Sequence, residues 1–277
     1  MTIRRLESGD RPQAEAQWRD IFEESPAFAS YYFDRRFYPE HAFGAFDGDR
    51  LVAVVHGRPT KIVIARKPYA ALLVAGVSTL PEYRGQGLMH KLMTLLTAHA
   101  KESGFSCCYL HPVSESLYAS LGFQNGADAC IIRSDETRAH ESFSLSERFD
   151  AADMLFVYHA LQQTHDGMEL RDEEELNVVY GDYAIDNAKN LIASDKNGPK
   201  GYIIYCDDGF VYELMAWNAA RYAFLLDEAA KRVGKEIKAI VPTDCGLPGE
   251  RVYSMQYLVF NDAFQLPLPN GFCRLAY

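Results

Sequence analysis

Hydrophobic positions along this chain switch repeatedly between a period of two and a period near that of a helix. After Asp10 and Pro12, the residues Ala14, Trp18, Ile21 and Phe22 recur at helical spacing, with a proline suited to a first turn. "AFGAFDGDRLVAVVHG", Ala42 to Gly57, alternates on both sides of Asp47-Gly48 and predicts two strands joined by a tight turn. "TKIVIA" and "ALLVAGVST" read as two further strands, the second apolar enough to be central in a sheet. In "VSTLPEYRGQGLMHKLM", Val77 to Met93, an extended pattern breaks into Pro, Arg, Gly, Gln and Gly and then turns helical. Leu88, Leu92, Leu95 and Leu96 supply its apolar face, and Gly104 stops the helix after Ser103. "SCCYLH" predicts a strand, "SESLYASL" a short helix and "ADACIIRS" a last strand. Mixed strands with helices between them define an α/β layered sheet.

"SDETRAHESFSLSERFDAAD" is polar and aperiodic and reads as a linker. Beyond it the order of elements partly repeats. "NLIASD" and "GYIIYC" are strands, Asp208-Gly209 turns into the strand "FVYELMAW", "NAARYAFLLDEAAKRVG" is a helix ending at Gly234, and "EIKAIVP" is a strand. That order resembles the first half from Ala42 onward, except that "YELMAW" runs into "NAARY" with no glycine turn and Asn218 caps the helix itself. The expected organisation is a domain at 1–133, a linker at 134–149 and a second domain of related layout at 150–277.

Composition narrows the function classes. The 277 residues are 48% hydrophobic and 24% charged, ordinary values for a chain with a sizeable core. No apolar run has the roughly 20 residues of a membrane helix. "MTIRRLESGDRPQ" lacks the apolar segment of a secretory signal. Six cysteines without a CxxC read as reduced, mostly buried thiols of a cytoplasmic protein. Residues 1–130 carry 14 Lys and Arg against 14 Asp and Glu, so the net charge of −10 lies wholly in residues 131–277. This argues against a nucleic-acid surface and is compatible with a cationic acceptor as well as with a solvated acidic face.

A glycine turn that opens a helix is suited to an anion, because free N–H groups and the helix dipole face outward. Arg84-Gly85-Gln86-Gly87-Leu88-Met89, after an apolar strand and Pro81 and before an amphipathic helix, resembles the R/Q-x-x-G-x-G/A signature of the GCN5-related N-acetyltransferases (GNAT). One departure is Met89 at the final Gly/Ala position, whose side chain must point away from a diphosphate. The "RGQGLMHKLM" variant and the repeated layout resemble more specifically the enhanced-intracellular-survival (Eis) branch of that superfamily. That branch joins two tandem GNAT-like domains, the second degenerate, to a sterol-carrier-like third. The present chain matches the first two. The branch's proposed base is a C-terminal carboxylate from the third domain, a role Tyr277 does not simply inherit.

The resemblance implies acetyl-CoA as co-substrate. Backbone groups of Val77, Ser78 and Thr79 would pair with the pantetheine arm, and the N–H groups of Gly85, Gln86, Gly87, Leu88, Met89 and His90 would hold the diphosphate. Arg84 would add a charge-assisted contact, and Val113 and Ser114 correspond to further cofactor contacts. Tyr118, four residues before Gly122-Phe123, matches the family's general-acid tyrosine, which protonates the departing thiolate. The plain alternative for Tyr118 is a core aromatic beside Phe123. His111 and His90 are weaker candidates for a base, and "DEEEL" (Asp172 to Leu176) reads as a solvated helix start. No His pairing indicates a metal site, and neither a nucleophile elbow nor a nucleotide-binding loop is present.

The reading is an acetyl-CoA-dependent N-acetyltransferase with one donor site, in the first domain, and a second domain that shapes the acceptor cleft. The alternatives are a non-catalytic acyl-CoA-binding or regulatory module, and an interaction protein whose acidic half binds a basic partner. Aminoglycoside, polyamine, peptide N-terminus and lysine all fit as acceptors. No membrane partner is expected, and the sequence is silent on oligomeric state.

Overall fold

Residues 1–277, apart from 115, 136, 139–142, 269 and 274–277, are described by the computed structural model. Tyr277 therefore lies outside the described residues. The chain sorts into two units that interleave along the sequence. The first takes Met1–Ile62, Pro68–Asn125 and Met255–Leu266, and the second takes Val63–Lys67, Gly126–Ser254 and the chain from Pro267 on.

The first unit contains strand β1 (Thr2–Arg5), helices α1 (Arg11–Phe22) and α2 (Pro26–Arg36), strands β2 (Ala42–Asp47), β3 (Arg50–Ile64) and β4 (Lys67–Thr79), helix α3 (Leu88–Glu102) and strand β5 (Cys107–Leu110). These strands lie side by side in the order β1-β2-β3-β4-β5. β2 pairs antiparallel with β1 and β3, while β4 and β5 run parallel, as the intervening α3 requires. The Asp47-Gly48 hairpin forms as the alternation predicts. "TKIVIA" is not a separate strand: β3 runs on through Pro59 to Ile64. α2 gives no periodic signal, yet Ser25 caps it by accepting the Phe28 N–H, and Pro26 opens its first turn. It buries Phe28, Tyr32 and Phe33, and the last two join Trp18 of α1 in one core.

α3 buries Leu88, Leu92, Met93, Leu96 and Ala100. Leu95, assigned to that face from the sequence, is exposed, because Met93 and Leu96 fill the stripe at 3.6 spacing. The face packs on Phe43, Val55, Leu72, Cys108 and Leu110 of the sheet, and each large side chain so buried contributes about 1.5–3 kcal/mol. "SESLYASL" is not a helix. Its described part is a turn followed by one 3₁₀ turn at Ala119–Leu121, which Gly122 ends at φ +87°. So short a segment does not recover the cost of helix nucleation.

From β6 (Gln124–Arg133) onward come β7 (Ser144–Ser146), α4 (Ala151–Gln162), β8 (Met168–Glu169), α5 (Glu173–Ile185), β9 (Lys189–Asp195), β10 (Gly198–Tyr205), β11 (Val211–Ala216), α6 (Ala219–Val233), β12 (Lys238–Val241) and β13 (Glu250–Val259). An antiparallel sheet of order β11-β10-β9-β7 carries the second unit's core, and β6 pairs with β12. The stretch read as a linker holds β7, hydrogen-bonded to β9, while residues 136 and 139–142 of it lie outside the described residues. "DEEEL" is a helix start, capped by Asp172. α1-α2-β2-β3-β4-α3-β5 is repeated as α4-α5-β9-β10-β11-α6-β12, so the repeat reaches further back than Ala42.

The interleaving differs from the contiguous spans 1–133 and 150–277. Within the first unit, β5 takes as its antiparallel neighbour the end of β13, with Gln256 opposite Leu110 and Val259 opposite Cys107. Within the second, β12 takes β6, with Val241 opposite Cys130. Pairings this distant in sequence leave no periodic trace. All six cysteines are buried, and none is in a disulfide.

Candidate functional site

β4 leaves its parallel partner early. The two strands are in register from Ala71 opposite Cys107 to Leu73 opposite Tyr109, after which β5 stops at Leu110 while β4 continues to Thr79. Residues 74–79 thus have no β5 partner among the described residues. Gly76 sits inside this segment at φ +58°, and a Cβ there would lie 2.3 Å from a Trp18 ring carbon. Only glycine meets both demands. Beyond it, Ser78 is buried and its Oγ accepts a hydrogen bond from Gln17 Nε2 at 2.9 Å. Val77 and Thr79 are half-buried.

The turn that follows is held from both sides. Tyr83 donates its phenolic O–H to Asp47 at 2.8 Å, and Arg50 pairs with Glu82 at 2.8 Å. Arg84 is exposed and its Nε donates to the Thr79 carbonyl at 3.1 Å, so its side chain folds over the strand end. Gly85 and Gly87 have φ of +76° and +71°, and a Cβ at either would meet nothing within 4 Å. Gly87 caps α3 without a side chain, and the Lys91 N–H bonds back to its carbonyl at 3.2 Å. The N–H groups of Leu88, Met89 and His90 precede any intrahelical acceptor and are left for an external one, in the positive field of the helix end. Gln86 and His90 are exposed, Leu88 is buried, and Met89 packs against the core under α3, which answers the departure at its position.

Tyr118 is 4% exposed and shares a core cluster with Leu88, Leu92 and Phe123, its ring 6.0 Å from that of Phe123. Burial raises its phenol above the ordinary value, so the O–H is retained at neutral pH. Val113 is 89% exposed, and Ser114 and His111 are exposed. Leu88 and Tyr118 thus join one cluster, whereas Val113 and Ser114 face solvent. Sequence reasoning passes over Gly76, Gln17, Trp18 and His56. A glycine inside the apolar run "ALLVAGVST" and a histidine ending "LVAVVH" are the available signals.

In the second unit, α6 begins differently. The Asn218 side chain accepts the Arg221 N–H at 3.2 Å, so the helix start is closed by its own cap, as expected. Among the described residues no group of three His, Cys, Asp or Glu is placed to hold a metal ion, and no helix is long and apolar enough to cross a membrane.

An open glycine turn between the β4 end that lacks a β5 partner and an amphipathic helix sits in a mixed α/β fold of the GNAT type. Residues 2–126 match the family model of the acetyltransferase (GNAT) domain. No curated protein matches the chain in sequence. Among solved structures, a probable N-acyltransferase from Enterococcus faecalis V583 is similar with a TM-score of 0.74 and 16% identity, over 93% of this chain and 72% of that one. Eis1 from Mycobacterium abscessus is similar at 0.69 and 15%, over 94% of this chain and 74% of its own. Saccharomyces cerevisiae N-myristoyltransferase, whose structure holds myristoyl-CoA, shares the fold at 0.62 and 7% identity, over 92% of this chain and 82% of that one.

Proposed function

We propose that the first unit is an acetyl-CoA-dependent N-acetyltransferase acting on a primary amine. The observation that carries this reading is the open turn at Gly85 and Gly87, set directly after the end of β4 that has no β5 partner. The residues fit coenzyme A. Val77, Ser78 and Thr79 offer strand-like backbone groups for the pantetheine arm. The N–H groups from Gly85 to His90 offer a diphosphate cradle that no Cβ fills, and Arg84 adds a cation at its edge. Val113 and Ser114 would make further contacts from the surface. Acetyl-CoA supplies the activated acyl group.

The acceptor amine would attack the thioester directly, with no covalent enzyme intermediate. Holding both partners in one geometry then provides much of the rate. A backbone N–H near Val77 would polarise the carbonyl, the Tyr118 O–H would protonate the leaving sulfur, and the proton shed by the acylated nitrogen would pass to solvent, from which Tyr118 is reprotonated. Support for Tyr118 comes from its burial beside α3 and the raised pKa that keeps its proton in place. The experiment is a calorimetric titration with acetyl-CoA followed by an acceptor screen that reads free thiol. Aminoglycosides, polyamines, lysine and peptide amines are the acceptors to include. Binding with amine-dependent thiol release supports the reading. Binding without release for any acceptor favours a non-catalytic acyl-CoA module, and absence of binding removes the donor site.

A further inference from the structure

Side chains along β4 alternate between its two faces as far as Ala75. Val74 lies in the cluster under α3, and Ala75 packs with the cluster that holds Trp18 of α1. Gly76 breaks the alternation. At φ +58° a Cβ on it would point at the Trp18 ring, the same side as Ala75. The alternation then resumes one residue late, with Val77 against the α3 cluster and Ser78 turned to α1. A slip of one residue reverses every side chain that follows it. Without it, the Ser78 hydroxyl would face the apolar side of α3.

On the α1 side Ser78 meets Gln17, whose Nε2 donates to Ser78 Oγ at 2.9 Å, with the two residues 5% and 6% exposed. Gln17 and Trp18 are neighbours in α1, so two successive residues of one helix hold positions 78 and 76 of one strand. This is the stretch of β4 that continues after β5 has stopped. Gln17 Oε1 has no hydrogen-bond partner among the described residues. One bond does not fully offset the burial of an amide, and a leucine in the same helix would cost less to bury. What the glutamine adds at this position is a fixed alignment of the strand.

We propose that Gln17 is a positioning residue for the donor strand. Through Ser78 it holds the backbone of residues 77–79 in the alignment that the pantetheine arm would meet. The effect on ligand binding rests on the acetyl-CoA reading, whereas the hold on the strand does not.

Hydrogen exchange of the ligand-free protein tests the hold. Gln17→Leu keeps bulk and helix preference and removes the donor, and Ser78→Ala removes the acceptor with little change of size. In each variant the amides of residues 77–79 should exchange several-fold faster than in wild type, while those of α3 keep their rates. Unchanged exchange at 77–79 in both folded variants overturns the proposal. Calorimetry reads the ligand. Acetyl-CoA should bind each variant about fivefold more weakly. The double variant should lose no more than either single one, because the same bond is broken in all three. Unchanged affinity refutes the positioning role, and losses that multiply in the double variant refute the pairing. Adenosine diphosphate, which has a diphosphate and no pantetheine arm, should bind all four proteins alike. An equal loss for it would mean general damage and refute a role confined to the strand. If wild-type protein fails to bind acetyl-CoA while exchange at 77–79 rises in the variants, the donor reading falls and the hold on the strand stands.

Discussion

The Trp18 ring occupies the space a side chain would need at Gly76, 2.3 Å from where the Cβ would stand. Gly76→Ala therefore meets two penalties, a left-handed backbone and an overpacked core. Together they should cost about 2–4 kcal/mol. Urea denaturation measures this, and the double variant with Trp18→Leu should recover the steric part while leaving the backbone part. Full additivity of the two changes would show that the contact does not limit position 76.

Gly87→Glu places a carboxylate beside the open N–H groups of α3. A loss of roughly 100-fold in acetyl-CoA affinity is expected, about 3 kcal/mol, from repulsion and exclusion of the diphosphate. Wild-type protein should saturate at one equivalent per chain, because α6 is closed by Asn218 where α3 is left open by Gly87. Calorimetry decides both points. Two equivalents, with only one lost in the variant, would make the second unit a donor site as well.

Tyr118→Phe keeps the ring packed with Leu88, Leu92 and Phe123 and removes the O–H. Folding and acetyl-CoA affinity should survive, while turnover falls by roughly two to four orders of magnitude. Thiol release at constant acetyl-CoA is the measurement. Wild-type turnover would leave Tyr118 as a core aromatic.

His99 and His41 set a pH dependence of stability. Arg5 donates to His99 Nδ1 at 3.2 Å, which puts the His99 proton on Nε2, and this nitrogen donates to His41 Nδ1 at 2.9 Å. The chain of bonds requires both rings neutral. Burial lowers both pKa values, helped at His41 by His99 and at His99 by Arg5, while burial alone pushes His56 down to about 3. All three bind protons more readily unfolded, so stability is complete above pH 6.5 and falls as pH drops toward 3. Denaturant midpoints across that range should decline, and less steeply in His99→Gln. An equal slope in the variant would remove His99 from the account.

Much of the donor site is legible in the residues themselves, because its chemistry is local. Asp47-Gly48, the Gly85-Gln86-Gly87 turn, the Asn218 cap and the Gly234 stop each act within a few residues, so their signals survive in a bare sequence. Leu95 and the segment before Tyr118 mislead because single apolar residues and short polar stretches fit more than one element. α2 escapes because its signal is a cap and a proline rather than a period.

By itself, then, the sequence determined most of the strands, α3 and α6, part of the repeat, the glycine turn and through it the resemblance to the GNAT family. Only the tertiary structure decided that β13 completes the first unit beside β5 and β6 the second beside β12, because strand pairing depends on distant edges meeting. It also brought Trp18 and His56 against Gly76, and Gln17 onto Ser78. Those contacts join residues 20 to 61 positions apart, and side-chain packing at that range obeys the shape of the folded core rather than any local pattern.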